Sequence, residues 1–324
     1  MNPPPCAFRP PRWLPDGHWE TLWAPFLARA PRPRYRREIW TTPDADRLAV
    51  DWVDGRDDRP VVALFHGLAS SSRGHYARAF ADRLQRQGWT GALVNFRGCG
   101  GLDNLRPRAY HAGDSAELRW ILAALAERFP ERPLFAAGVS LGGNVLLKYL
   151  GEEGRATPLR AAAAICAPID LTATATYLDA PQNRVYAAFF LRTLKASMGR
   201  YRRRFPQMAD WQAVRRARSL RAFDDAFTAP VHGFADAASF WRESSAGPLL
   251  KNISVPTWLL HSANDPIVPI DSVRAWAISS QVIPCVTDGG GHVGFVSGKL
   301  PGHLYWLAES LIAFFEGQWR HEQG

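Results

Sequence analysis

The sequence predicts an α/β fold built on a mostly parallel central sheet with helices on both faces. Three observations predict it. Continuous apolar runs recur at 60–67, 91–98, 133–139 and 255–262, and such runs suit strands buried on both faces. Amphipathic helical stretches follow the first three, giving strand–helix alternation. The rhythm breaks over 170–250, where the sequence is helix-like or irregular and has no buried-strand run.

Residues 1–34 are rich in Pro, Trp and Arg and read as an irregular arm wrapped on the domain. LAVDWVD (48–54) alternates as a strand does, and PVVALFHG (60–67) is the first buried strand. In HYARAFADRLQRQGW, Tyr76, Phe80 and Leu84 share one helix face. The strand GALVNFRG (91–98) precedes a helix in which Asp114 and Glu117 have capping-box spacing and Leu118, Leu122, Leu125 and Phe129 form a stripe. PLFAAGVS is a strand and LGGNVLLKYLGEE a helix; RAAAAICAPI (160–169), VPTWLLHSAND (255–265) and SQVIPCVTDGGGH (280–292) supply three more strands, and GHLYWLAESLIAFFEGQW the last helix. The expected organisation is an arm (1–34), a core made of 35–169 and 251–324, and a helical lid (170–250) inserted over the sheet.

The 39 Lys and Arg against 30 Asp and Glu give a net charge of +9. Basic clusters at 32–38 and 199–207 have no nucleic-acid motif beside them and read as solvated surface, so no nucleic-acid partner is expected. Cys6, Cys99, Cys166 and Cys285 are widely spaced, without metal-ligand spacing. No signal-peptide h-region and no long apolar run is present. A cytoplasmic protein with four free thiols is the expectation.

Ser140 lies in Gly138-Val139-Ser140-Leu141-Gly142, between a buried strand and a helix. Serine is a poor nucleophile unless a base lies near and its oxygen projects. A glycine-tightened strand–turn–helix provides the projection, and G-x-S-x-G in that setting is the nucleophile elbow of α/β-hydrolases. The plainer reading is a helix N-cap serine. An acid and then a histidine, in that chain order, should complete the site. Asp265 follows one late strand and His292 the next; each alone also reads as an ordinary turn or loop residue. Together they form a candidate triad, with Asp265 orienting His292 and His292 taking the Ser140 proton. Two backbone N–H donors are expected to hold the oxyanion, those of Leu141 and Leu68. Arg97 and His66 sit on active-site-side loops, either near substrate or bracing those loops; bracing is preferred for both. Cys99 and Asn144 read as structural.

FHGLASSSRGHYAR, NFRGCGG, YHAGDSAELRWIL, GVSLGGNVLLKYLGE, HSANDPIVP and GGGHVGF together resemble the YheT-like α/β-hydrolases, over nearly the whole chain. The resemblance implies an α/β-hydrolase fold and a carboxylic ester hydrolase or acyltransferase acting on acyl esters, including lipids, with Ser140, Asp265 and His292 at the matching catalytic positions.

The expected function is ester cleavage through an acyl-enzyme on Ser140. Transfer to an alcohol uses the same residues, and a non-catalytic binding module is the reading from another class. Tyr177, Tyr186, Phe189, Phe190 and Leu191 either line an acyl pocket or hold the lid to the core. The stretch 191–205 mixes apolar and basic residues, either as a helix in weak contact with a membrane surface or as ordinary lid surface, which is the preferred reading. No metal and no organic cofactor is implied.

Overall fold

The computed structural model describes residues 6–321; residues 1–5 of the expected arm and 322–324 of the expected core lie outside them. Eight strands form one sheet: β1 (Arg36–Thr41), β2 (Arg47–Val53), β3 (Val61–Phe65), β4 (Thr90–Asn95), β5 (Leu134–Val139), β6 (Ala161–Ile165), β7 (Thr257–Ser262) and β8 (Val282–Thr287), in the spatial order β1-β2-β4-β3-β5-β6-β7-β8. β1–β2 and β2–β4 pair antiparallel and the remaining strands parallel. The α/β fold is therefore the one the sequence predicts.

Helices α1 (Gly17–Phe26), α2 (His75–Gln87), α3 (Ser115–Arg128) and α4 (Leu141–Glu153) precede β6. Between β6 and β7 the chain has only helices: α5 (Leu171–Asp179), α6 (Arg184–Arg204), α7 (Trp211–Arg216), α8 (Leu220–Phe223), α9 (Ala229–His232) and α10 (Ala237–Ser244), with short 3-10 and π turns. The short α11 (Ile270–Arg274) and the long α12 (Tyr305–His321) complete the chain. No helix among the described residues is long and apolar enough to cross a membrane.

The central strands are buried on both faces because a separate core lies on each. One holds Val61, Ala63, Phe65, Val145 and Leu146, and the other Val62, Leu64, Phe135, Leu311 and Phe315. Leu191, Tyr201, Val214, Phe223 and Phe227 form a third, smaller cluster within the helical segment.

Three expectations need correction. The arm is not irregular: Asp16 caps α1 by accepting from Trp19 N (3.0 Å), a helix hidden by its Pro and Trp content. The edge strand β1 alternates in exposure and has no buried-strand run, so the sequence does not mark it. Asp114 and Glu117 do not make a capping box; Asp114 accepts from Arg108 Nη2 (2.5 Å) and Glu117 from Arg97 Nε (2.5 Å). Stronger, charge-assisted partners take both carboxylates. Finally, the four cysteines are not all thiols. The arm brings Cys6 to Cys285 on β8, with Cα atoms 5.6 Å apart, and the two form a disulfide, leaving Cys99 and Cys166 free. A cytoplasmic setting argued from four free thiols loses that support.

Candidate active site

Pairing register sets the site. Phe65 of β3 lies opposite Gly138 of β5, and Val139 opposite Ile165 of β6, so these strands end at one level. In parallel sheets the loops beyond such carboxyl ends gather ligand-binding groups.

Ser140 occupies the bend from β5 into α4 at φ 52°, ψ −121°, where an L-residue is strained. Its N–H donates to Ile165 O (2.8 Å). The bend needs its glycines: a Cβ on Gly138 would sit 2.5 Å from Gly142 O, and one on Gly142 2.4 Å from Phe65 O. Strand, helix and neighbouring loop thus approach backbone to backbone, and the serine oxygen is pushed outward.

The structure brings Ser140, Asp265 and His292 together. Ser140 Oγ–H donates to His292 Nε2 (2.9 Å), and His292 Nδ1–H donates to Asp265 Oδ2 (2.8 Å). Asp265, beyond β7, is buried, and its Oδ1 accepts from the backbone N–H groups of Ile267 (2.8 Å) and Val268 (3.0 Å). Both carboxylate oxygens are thereby committed. Asp265, His292 and the buried Cys166 also form a group of ligand atoms within 4.8 Å of one another. Asp265 and His292 already bond each other there, and burial raises the Cys166 thiol well above its usual range, which disfavours a thiolate ligand.

Leu68 and Leu141 border the same space as Ser140. The amides flanking Leu68 are occupied: Gly67 N donates to Tyr76 OH (2.9 Å) and Ala69 N to Tyr110 OH (2.7 Å). Leu141 is the first residue of α4, where backbone N–H groups lack intrahelical acceptors.

Arg97 and His66 both brace loops, and Arg97 also borders the cavity that holds Ser140. The Arg97 guanidinium is buried and meets Glu117 (2.5 Å), Asp44 (2.7 Å) and Asp46 (3.4 Å). It joins the β1–β2 turn to α3. His66 is buried; its Nδ1–H donates to Gly67 O (2.7 Å) and its Nε2 accepts from Phe96 N (3.1 Å). Burial lowers its pKa to about 4, so it stays neutral with both nitrogens used. Burial raises the Cys99 thiol to about 12. Asn144 donates to Ala112 O and Ser244 O (both 2.8 Å) and accepts from Ala246 N (3.0 Å).

The arm carries residues that sequence reasoning missed. On α1, buried Glu20 accepts from Gly290 N, and Thr21 Oγ1 accepts from His292 N (2.8 Å). Asn264 Oδ1 accepts from Gly291 N (2.9 Å). Three consecutive amides of the histidine loop are therefore each held by a side chain. Burial raises the Glu20 carboxyl above its usual range, opposed by its bonds to Gly290 and Asn264. Thr21 and Glu20 stand about 270 residues from this loop in sequence, and no local signal announces them.

Between the sheet ends and the helical segment is a cavity of about 950 Å³, lined by Ser140 and by Leu171, Leu178, Leu194, Met198, Phe223 and Phe227. Of the five side chains singled out in the sequence for this role, Phe190 lines it. Tyr177 is half-buried outside the lining, Tyr186 is buried against His18, Leu191 belongs to the helical segment's own cluster, and Phe189 is exposed.

Residues 60–299 match the family described as the alpha/beta hydrolase fold. YheT of Escherichia coli (strain K12), a candidate esterase by its name, is 34% identical over 93% of this chain and 91% of its own length. Phospholipase ABHD3 of Homo sapiens is 29% identical over 97% of this chain and 80% of its own. An esterase structure from Exiguobacterium antarcticum superposes with a TM-score of 0.58 at 15% identity, covering 87% of this chain and all of that one, a likeness of fold. With a family match across most of its length and a 34% identical relative spanning nearly all of it, this chain belongs to the α/β hydrolases and, among them, to the YheT-like group.

Proposed function

We propose that the chain hydrolyses carboxylic esters with lipid-like acyl groups, through an acyl-enzyme on Ser140. The observation that carries this is the unbroken Ser140–His292–Asp265 hydrogen-bond chain at the wall of a large apolar cavity. The naming of its relatives as esterase, phospholipase and monoacylglycerol lipase agrees with ester hydrolysis.

In this reading His292 Nε2 accepts the Ser140 proton as Oγ attacks the ester carbonyl. The imidazolium forms against the Asp265 carboxylate. The Leu68 and Leu141 N–H groups hold the oxyanion. His292 then protonates the departing alcohol, and a water, deprotonated by the same nitrogen, clears the acyl group. The helical segment acts as the lid, and its apolar side chains receive the acyl chain.

A p-nitrophenyl ester series from acetate to palmitate tests the substrate class. Each methylene buried in the cavity contributes about 0.8 kcal/mol, roughly fourfold in kcat/KM. A steep rise beyond acetate is expected, ending where the cavity is full. Turnover that peaks at acetate would refute a lipid-like acyl substrate.

Thr21 is assigned to positioning His292. Thr21→Val is expected to lower kcat by about tenfold or more with KM unchanged, and Thr21→Ser, which keeps the acceptor oxygen, to restore it. Equal loss in both variants would reduce Thr21 to a packing residue.

A further inference from the structure

α1 and α6 each turn one face to the site. α1 holds the His292 loop through Glu20 and Thr21, and α6 lines the cavity through Phe190, Leu194 and Met198. Their opposite faces are apolar and exposed. On α1 and the residue after it, Trp19 (52% exposed), Leu22, Phe26 (69%) and Leu27 follow helical spacing, while Gly17, Glu20 and Ala24 are buried on the other side. On α6, Val185 (63%) and Phe189 (55%) are one turn apart.

These two rows adjoin. His18 Nδ1 bonds Tyr186 OH (2.9 Å) with the rings stacked, so Trp19 and Val185 flank one contact. Leu300, also exposed, borders α1, because Trp23 Nε1 donates to Pro301 O (2.8 Å). Seven of the nine large apolar side chains exposed among the described residues thus fall in one region. Scattered exposed apolar residues are ordinary; a contiguous patch marks an interaction surface.

Charge selects the occupant. Arg29, Arg32 and Arg34 follow α1 and Arg192 extends the exposed row of α6; all four are exposed, and none enters an ion pair among the described residues. The chain as a whole carries +9. A second copy meeting this patch across a two-fold axis would gather both copies' arginines at one interface, where their charges repel. An anionic bilayer meets both features: its acyl region takes the apolar side chains and its headgroups the arginines.

We propose that the outer faces of α1 and the first turns of α6 dock the protein on an anionic lipid bilayer and bring the cavity wall to the lipid surface. This deepens, and rests on, the reading of the site as a hydrolase of lipid-like esters. It also differs from the membrane contact that the sequence offered as an alternative at 191–205. In the stretch 191–205, Leu191 and Tyr201 turn into the helical segment's core, which leaves no continuous apolar face for lipid.

Cosedimentation of the full chain with phosphatidylcholine vesicles, with and without phosphatidylglycerol, tests the proposal. Binding is expected with phosphatidylglycerol present. It should fall by about tenfold in a Trp19→Ser, Phe26→Ser, Phe189→Ser variant and lose its preference for phosphatidylglycerol in an Arg29→Gln, Arg32→Gln, Arg34→Gln variant. Both variants should hydrolyse a soluble p-nitrophenyl ester at the wild-type rate. Absence of vesicle binding, binding unchanged in both variants, or a wild-type dimer that the apolar variant converts to monomer would overturn the docking surface. Loss of activity on all esters with vesicle binding intact would instead refute the hydrolase reading and leave the docking surface standing.

Discussion

Ser140→Ala is expected to lower kcat on any ester substrate by about 10⁶-fold, with KM and the melting temperature close to wild type. The substitution removes one atom, the Oγ that bonds His292 Nε2 at 2.9 Å. Its Cβ stays in place, so the strained bend at φ 52° and its glycine contacts are undisturbed. The loop amide of Leu68 and the helix-start amide of Leu141 also remain, so substrate binding is retained while the covalent step is lost. Steady-state turnover beside thermal denaturation checks both halves. A fall in kcat of less than a hundredfold in a folded variant would mean that another nucleophile carries the reaction.

Asp265→Asn is expected to cost about 10⁴-fold in kcat, about 5.5 kcal/mol of transition-state stabilisation. The Asn carbonyl oxygen can take over the bonds now made by Asp265 Oδ1 with Ile267 and Val268 N–H. Its NH₂ then faces His292 Nδ1, which must become an acceptor. The imidazole proton moves to Nε2, and Nε2 can no longer accept from Ser140. The loss should appear in kcat rather than KM on the same ester series. A change within tenfold would place the acid elsewhere.

What the sequence reveals about this site follows the range of the interactions. Gly138 and Gly142 are two residues from Ser140, and their steric reason acts within one bend, so the elbow is legible locally. Asp265 and His292 are legible because apolar runs mark the ends of β7 and β8. The hidden parts depend on distant chain. Arg97 draws its partners from Asp44 and Asp46, about fifty residues back, and so Glu117, spaced to cap a helix, pairs with a guanidinium instead. The Cys6–Cys285 disulfide spans 279 residues. α1 carries no catalytic motif, yet it meets the histidine loop on one face and presents an exposed apolar row on the other. Its buried positions are Gly17, Glu20 and Ala24, none of them a large apolar residue, so no amphipathic stripe identifies it.

The central claim is that Ser140 becomes acylated. Rapid acid quenching of the protein during turnover of a p-nitrophenyl ester, followed by peptide mass mapping, tests it most directly. The account predicts an acyl mass on the peptide that contains Ser140, formed at a rate at least equal to turnover, and absent from Ser140→Ala. An active enzyme with no acyl mass on that peptide in a pre-steady-state series, or with the acyl group on another residue, would contradict it.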